Sequence, residues 1–383
     1  MIPRTLFAEE HEIYRSSVRR FIEQEIVPHH AAWEKAHQVP REAWLKAGAA
    51  GLLCCAVPEQ YGGPGGSFLH SAIVIEELSR VGASGPAFPL HSDIVSPYLV
   101  AYGSEEIKQR WLPGMVSGEA LGAVAMTEPS GGSDLKNIRT TAIRDGNDYV
   151  INGQKTFITN AQGADIVVLA CKTDPAAGYK GISLILVETA RPGFSKGQPL
   201  EKIGLKAYDT SEIFFSDLRV PVGNLLGKEG RGFYQLMEML AQERLVQAIK
   251  AVASTEAILR WTIEYTSERK AFGQSIADFQ NSQFKLADLH SKLAVCQAYV
   301  DRCTEVHLQG KLDAVDAAIA KLQSTELLGV AADECLQLFG GWGYMWEMPV
   351  ARAWADARMA RLAAGTSEII RQIIAKSIFP PRT

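Results

Sequence analysis

The change of hydrophobic period along the chain limits the fold more than any other feature. Apolar residues recur at helical spacing from about residue 6 to 117 and again from about 228 to the end, whereas the stretch from about 120 to 222 reads as strands. Strands and helices do not alternate in βαβ order, which argues against a Rossmann sheet. We therefore expect an α+β protein that is mainly α: an N-terminal helical domain (1–118), a middle β-sandwich or barrel domain (119–226) and a C-terminal four-helix bundle (227–383).

Five short stretches of the middle region have strand character. They are residues 121–126, 149–159, 166–170, 182–187 and 213–215. The second stretch contains Asn152-Gly153, the dipeptide most typical of a tight β-hairpin. The sequence therefore predicts two strands that meet at Asn152-Gly153.

Composition and charge argue against several classes of function. The chain has 383 residues and a net charge of -4, so it lacks the basic excess of proteins that bind nucleic acid or anionic membranes. No apolar run reaches the roughly 18 residues of a membrane span, and the N-terminal segment has neither a signal-peptide core nor the character of a transit peptide. The six cysteines include no CxxC pair and the histidines no HExxH, so neither disulfides nor a metal site is indicated. We expect a cytoplasmic bacterial protein.

A carboxylate interrupts the apolar face of one helix in the C-terminal region. Phe233, Leu236, Met237 and Leu240 fall at helical spacing, and Glu243 continues their stripe. No Lys or Arg lies three or four residues from this carboxylate, so no local ion pair holds it. A carboxylate on an inward face needs either a basic partner from elsewhere, such as a neighbouring subunit, or a chemical use. On the helix alone, the structural ion pair is favoured.

Four stretches carry more glycine, hydroxyl or basic groups than packing requires. Residues 127–134 follow a strand, and their glycines let backbone N–H groups approach a ligand. Residues 157–159 place an aromatic ring and a hydroxyl on one face of a strand. Residues 365–368 open the last helix, and residues 269–273 present an arginine between two long helices. Taken singly, these stretches are explained as well by a surface turn, a half-buried strand, a capped helix start and a basic turn.

In this order and at these separations, the motifs resemble those of the acyl-CoA dehydrogenase family. The resemblance spans essentially the whole chain and rests on five stretches: AMTEPSGGSD (125–134), NGQK with FITN (152–160), RKAFG (269–273), QLFGG (337–341) and GTSE with Arg371 (365–371). The stretches QERL (242–245) and GWGYMWE (341–347) are most similar to the long-chain branch of the family. One such motif is weak, whereas five in register are specific.

The resemblance implies a flavoprotein oxidoreductase of fatty acid β-oxidation and lipid metabolism, which forms a homotetramer (a dimer of dimers) and binds FAD between the β domain and the C-terminal bundle. It assigns cofactor contacts, some across a subunit boundary, to Met126, Thr127, Ser133, Phe157, Thr159, Arg269, Phe272, Gln280, Gln337, Gly341, Thr366 and Glu368. Of these, Phe157 covers the flavin ring where many relatives carry Trp, and Thr159 approaches flavin N5. It assigns substrate contacts to Ser133, Arg244, Ala364 and Gly365.

One position departs from the family pattern. Most members carry a catalytic Glu directly before the Gly-Thr of the last motif, where this chain has Ala364. The isovaleryl and long-chain branches place the base on the helix that here carries Glu243, directly before Arg244. The resemblance therefore reverses the inference from the helix alone and implies that Glu243 is the catalytic base. The implied reaction is α,β-dehydrogenation of a fatty acyl-CoA to the trans-2-enoyl-CoA, with electrons passed to an electron-transferring flavoprotein.

Three alternatives stay open on the sequence. The first alternative is that the substrate is a branched or terpenoid (citronellyl-type) acyl-CoA instead of a straight-chain one. The second is that the protein is an acyl-CoA oxidase or a flavin monooxygenase on the same fold, which the oxygen reactivity of its reduced flavin would reveal. The third alternative is a helical protein that binds acyl-CoA without chemistry, which a yellow purified protein would exclude.

Overall fold

The computed structural model describes residues 2–379 and has the expected order of helices, strands and helices. The N-terminal helices are α1 (Glu9–Phe21), α2 (Val27–Ala36), α3 (Arg41–Ala49), α4 (Phe68–Arg80), α5 (Phe88–Leu90), α6 (Ser96–Tyr102) and α7 (Glu105–Ser117). The strands of the middle region are β1 (Gly122–Ala125), β2 (Thr141–Asp145), β3 (Asp148–Thr159), β4 (Ile166–Lys172), β5 (Ile182–Glu188), β6 (Phe194–Pro199), β7 (Thr210–Pro221) and β8 (Leu225–Leu226). The C-terminal elements are α8 (Gly232–Glu268), the strands β9 (Lys270–Ala271) and β10 (Gln274–Ser275), and then α9 (Gln280–Leu308), α10 (Ala314–Leu338), α11 (Pro349–Ala360) and α12 (Ser367–Ile378).

A π-helical segment sets the orientation of α6. It comprises His91–Val95, all five of its residues are buried, and it joins α5 to α6. A π turn inserts one residue into the helical repeat and so changes which side chains of the following helix face inward. In α6, the inward positions hold Tyr98 and Leu99, both fully buried.

The strands of the middle region form one eight-stranded sheet. Its order is β6-β7-β3-β2-β4-β5-β8, and β1 pairs with β4 in parallel. Alternate residues of β4 and β5 enter two different hydrophobic clusters, one shared with α6, α7 and α8 and one built from the strands themselves. Because both faces of these strands are buried, their sequences read as continuous apolar runs.

The predicted hairpin at Asn152-Gly153 is wrong. Residues 148–159 form the single strand β3, and the turn that precedes it lies at residues 146–147, between β2 and β3. Asn152 exchanges hydrogen bonds with Asp217 of β7, at 2.9 and 3.0 Å, and the register shifts between Ile151 and Gly153. Gly153 has a φ of 143°, and a Cβ there would lie 2.7 Å from the hydroxyl oxygen of Thr140. The glycine therefore serves a β-bulge and a close approach of two strands instead of a tight turn.

The long helix α8 connects the β sheet to the C-terminal bundle. It has 37 residues, and its N-terminal half contributes Leu236 to the cluster shared with the sheet. Its later turns pack with α9, α10 and α11 around a second core that includes Ile258, Leu293 and Leu328. Residues of α12 pack on α10 through a smaller, separate cluster.

Candidate active site

Glu243 is buried on α8, at the junction of the N-terminal helices and the bundle. Its side chain is 6% exposed, and its Oε1 accepts a hydrogen bond of 3.0 Å from the hydroxyl of Tyr98. Burial raises the pKa of Glu243 to about 7, against the opposing effects of the Tyr98 hydrogen bond and the positive charge of Arg244. A carboxylate with such a pKa exchanges a proton near neutral pH, which is the property of a general base.

The turn before α12 lies next to this helix. Arg244 is buried, and its Nε donates to the carbonyl oxygen of Ala364 at 3.5 Å. Lys321 of α10 is also fully buried, and its Nζ donates to the carbonyl oxygen of Gly365 at 2.8 Å. Burial lowers the pKa of this lysine to about 8. Two buried basic side chains therefore fix the backbone of the turn that the sequence assigns to the substrate.

Ala364 has a left-handed backbone conformation. Its φ is 53°, and the φ of the following Gly365 is 100°. A residue with a side chain adopts such a conformation only where its surroundings impose it, at a cost of roughly 1–3 kcal/mol. The carbonyls of both residues are held by Arg244 and Lys321, so the direction of the intervening peptide is set by these contacts.

The stretch 126–134 follows β1 and is anchored by a buried ion pair. Lys155 of β3 is 0% exposed, and its Nζ lies 2.9 Å from both Glu128 Oε1 and the carbonyl oxygen of Met126. Glu128 also accepts hydrogen bonds from the backbone N–H groups of Arg139 and Thr140. Burial alone would favour the neutral carboxyl, but Lys155 and these donors outweigh it and lower the pKa of Glu128.

The predicted flavin face lies beside this anchored loop. The carbonyl oxygen of Thr127 accepts a hydrogen bond of 3.0 Å from the N–H of Thr156, which directly precedes Phe157. Ile158 points into the sheet core, whereas Phe157 is 65% exposed and Thr159 is half-buried, so these two side chains lie on the outer face. Phe157 has a φ of 59° at an irregularity in the pairing of β3 with β7. Ser133 lies exposed on the loop.

A second group of predicted residues lies at the other end of α8. The strands β9 and β10 form a hairpin just after Arg269, with Phe272 and Gly273 at its tip, both at positive φ. This geometry is that of a type I′ turn, and it leaves Phe272 97% exposed. Gln280 opens α9 next to Phe279, whose ring contacts that of Phe272.

The stretch 337–341 belongs to the same end of the bundle. Phe339 stacks on Tyr265, one turn before Arg269, with their ring centroids 4.1 Å apart. Gln337 and Gly341 flank this phenylalanine and are exposed. At 1.5 Å per helical residue, roughly 38 Å of α8 separate Glu243 from Glu268. Within one chain, the structure therefore keeps this second group apart from Glu243.

The start of α12 lies near the turn of Ala364. The Thr366 hydroxyl caps the helix by accepting from the N–H of Ile369 at 3.4 Å. Glu368 is exposed in the first turn, where its own N–H and the Thr366 hydroxyl lower its pKa. These positions agree with the capped helix start that the sequence indicates.

Sequence reasoning missed three side chains of this region. Tyr98 binds Glu243 across 145 residues of sequence, and no spacing links the two. Lys155 belongs to the NGQK motif (152–155), but its pairing with Glu128 depends on the sheet. Lys321 lies in a helix whose apolar repeat gives no indication of a partner. A lysine at a core position was the one available signal.

Three comparisons with known proteins show the family of this chain. The models of the acyl-CoA dehydrogenase N-terminal, middle and C-terminal domains match residues 8–119, 123–218 and 230–379. The mitochondrial long-chain specific acyl-CoA dehydrogenase of Sus scrofa is 48% identical over 377 residues, which are 98% of this chain and 88% of the relative.

Two solved structures have the same fold. The acyl-CoA dehydrogenase of Geobacillus kaustophilus is 47% identical with a TM-score of 0.97, and the alignment covers 99% of this chain and 100% of that chain. The acyl-CoA dehydrogenase of Bacillus anthracis complexed with FAD is 31% identical with a TM-score of 0.91, over 97% of this chain and 67% of that chain. Among residues 2–379, none of the helices combines the length and apolar character that crossing a membrane requires. The chain belongs to the acyl-CoA dehydrogenase family and is an oxidoreductase.

Proposed function

We propose that this enzyme dehydrogenates a long-chain acyl-CoA between its α and β carbons, with Glu243 as the base. The observation that carries the proposal is the buried Glu243 carboxylate next to a turn that has Ala364 in place of a glutamate. The turn itself, at residues 363–366, carries no carboxylate. The long-chain preference is supported by the name of the Sus scrofa relative.

The role of Glu243 follows from its environment. The α proton of a thioester is weakly acidic, so its removal needs a base stronger than a solvated carboxylate. Burial supplies that strength, because it disfavours the charged form and brings the pKa of Glu243 to about 7. At neutral pH a large fraction of Glu243 is ionised and ready to accept the proton.

The turn of Ala364 has a complementary role. Removal of the α proton develops negative charge on the thioester oxygen, and a fixed N–H donor stabilises that charge. We assign this donor to the backbone N–H of Ala364, which is present whatever the side chain. The nearby buried basic groups Arg244 and Lys321 keep the turn in place through the carbonyls of Ala364 and Gly365.

The residues present fit FAD. The outer face of β3 offers the exposed ring of Phe157 and the hydroxyl of Thr159, and the neighbouring loop offers the hydroxyls of Thr127 and Ser133. A Cβ built on Gly131 meets nothing within 4 Å, so the loop backbone is open to a ligand. When bound, FAD supplies the acceptor for the β hydride. The relative from Bacillus anthracis, solved with FAD, supports the same cofactor here.

A second copy of the chain would complete the cofactor site. Five of the expected cofactor contacts lie too far from Glu243 to reach a cofactor beside it in the same chain. They are Arg269, Phe272, Gln280, Gln337 and Gly341. An almost fully exposed phenylalanine at a hairpin tip is typical of a residue that a partner covers. We therefore assign these residues to the adenine dinucleotide part of the neighbouring subunit's FAD, within a homotetramer, and propose an electron-transferring flavoprotein as the electron acceptor.

The first test measures whether the protein binds FAD and which acyl-CoA it oxidises best. We expect the purified protein to be yellow with FAD, and an acyl-CoA to bleach it in the absence of oxygen. A series of straight-chain acyl-CoA substrates and a branched citronellyl-type one, assayed with an artificial electron acceptor, should show the highest kcat/KM for a long straight chain. Reconstitution with excess FAD that leaves no bound flavin would refute the proposal, and fast reoxidation by oxygen would favour an oxidase.

Substitution Arg269→Ala tests the contribution of the second copy. Among residues 2–379, no carboxylate lies at ion-pair distance from Arg269, so its charge is available for a phosphate. A charge-assisted hydrogen bond to phosphate contributes about 1.5–3 kcal/mol. The variant should therefore lose FAD on dialysis while keeping turnover at saturating FAD. Lys270→Ala, on the adjacent exposed position, is the matched control, and equal flavin retention by both variants would contradict the assignment.

A further inference from the structure

We infer that Tyr98 is a positioning residue for the catalytic base: its hydroxyl fixes one carboxylate oxygen of Glu243 and leaves the other free to accept the α proton. This inference rests on the proposed role of Glu243 as the base. Tyr98 gives Glu243 a specific partner from α6, a helix that none of the sequence motifs connects with catalysis.

The contact between the two side chains is well defined. Tyr98 is fully buried, and its hydroxyl donates to Glu243 Oε1 at 3.0 Å. The surroundings of the tyrosine ring are apolar, with Leu99 and Leu236 in the same cluster. A buried phenol needs a hydrogen-bond partner, and a buried carboxylate needs a donor, so each side chain satisfies the other.

The backbone of α6 is held in the register that this contact requires. Gln242, the residue before Glu243, donates through its Nε2 to the carbonyl oxygen of Asp93 at 2.7 Å. Asp93 lies in the buried π-helical segment that directly precedes α6. These two contacts are made by consecutive residues of α8. Together they fix both the distance and the rotation of α6 relative to Glu243.

The hydrogen bond also influences the acidity of Glu243. A donor to the charged carboxylate favours that form, so Tyr98 opposes the burial that raises the pKa of Glu243. The other charged group that faces Glu243 is Arg244, on its own helix, and behind it Lys321 faces Arg244 from α10. The remaining titratable groups near the contact are Asp93, before α6, and Tyr102, one turn after Tyr98.

The chain offers a matched control for the test. Tyr102 lies one turn along α6 and donates through its hydroxyl to Glu238 Oε2 at 2.7 Å, five residues before Glu243 on α8. Tyr102→Phe therefore removes the same atom from the same pair of helices without touching the base. Its rate and pH profile should match those of the wild type.

The decisive experiment is the pH dependence of flavin reduction in the holoenzyme, measured by rapid mixing with acyl-CoA. Tyr98→Phe should move the midpoint of the profile to higher pH by about one to two pH units, because one hydrogen bond to the charged form is lost. The same shift should be visible without substrate, as the titration of the Glu243 carboxyl band in infrared spectra. Retention of FAD and an unchanged circular dichroism spectrum verify that the variant is folded.

A fluorinated tyrosine at position 98 should shift the midpoint of the pH profile in the opposite direction. Its hydroxyl is a stronger donor, so the midpoint should move to lower pH. If Tyr98→Phe only lowers the rate at every pH, or if both replacements move the midpoint in the same direction, Tyr98 is a packing residue and the inference is wrong. The infrared titration reports on the contact even if Glu243 is not the base, whereas the Glu243→Gln variant described below reports on the base alone.

Discussion

Replacing Glu243 with glutamine is expected to slow flavin reduction by acyl-CoA about 10²–10⁴-fold, with FAD content unchanged. Glutamine keeps the size of the side chain and a hydrogen-bond acceptor for Tyr98, but it cannot accept the α proton. The wild-type rate should also rise with pH through about 7, because burial sets the pKa of Glu243 there and only the ionised form is a base. The variant should lack that rise.

Glu238→Gln is the control for this substitution. Glu238 lies on the same helix and also accepts a hydrogen bond from a tyrosine of α6, so its replacement makes the same chemical change away from the base. It should reduce its flavin at the wild-type rate. An equal loss in both variants would show that the effect comes from the packing of α6 on α8.

The base can also be moved. Glu243→Gly combined with Ala364→Glu places a carboxylate where most of the family has it. Ala364 already has a φ of 53°, so a glutamate there inherits the backbone conformation and adds no new backbone strain. We expect part of the rate to return, and only part, because no neighbouring group is arranged to orient the new side chain.

Replacing Lys155 with methionine is expected to destabilise the protein by about 3–5 kcal/mol. The substitution leaves Glu128 buried without its cation, since both side chains are almost entirely removed from solvent. It also removes the donor to the carbonyl of Met126, so the loop of Thr127 should loosen and FAD should be retained less well. Denaturation in urea, followed by circular dichroism at saturating FAD, measures the loss of stability.

The double variant Lys155→Met with Glu128→Gln is the control. It removes both charges together, so no buried charge is left unpaired, and the amide oxygen of the glutamine keeps an acceptor for the N–H groups of Arg139 and Thr140. The double variant should therefore be more stable than Lys155→Met alone. If the single variant unfolds at the wild-type urea concentration, the ion pair does not hold this loop.

The sequence predicts the order of elements well because the hydrophobic period reports burial directly. The apolar runs of β4 and β5 and the long stripe of α8 depend only on which faces are covered. The hairpin at Asn152-Gly153 fails because the same dipeptide serves a β-bulge when the next strand passes close by. Proximity between strands is a tertiary property, and local spacing does not contain it.

The candidate site also has features that the local sequence indicates and features that depend on tertiary contacts. Glu243 stands out in sequence because a carboxylate on an apolar stripe is unusual. The contacts around Glu243 do not stand out in the sequence, since Tyr98 and Lys321 reach their partners from helices that are remote in sequence. The positive φ of Ala364 is likewise invisible, because alanine gives no signal of a left-handed turn.

The role of Glu243 as the base is tested most directly by exchange of the α proton with solvent deuterium, followed by nuclear magnetic resonance. The ligand is an acyl-CoA analogue with sulfur at the β position, which can lose its α proton but cannot complete dehydrogenation. We expect exchange in the wild type, the same rate in Glu238→Gln, and exchange slower by a factor on the order of 10² or more in Glu243→Gln. Exchange at the wild-type rate in Glu243→Gln, with the analogue bound, would show that another group takes the proton and that Glu243 is a structural carboxylate.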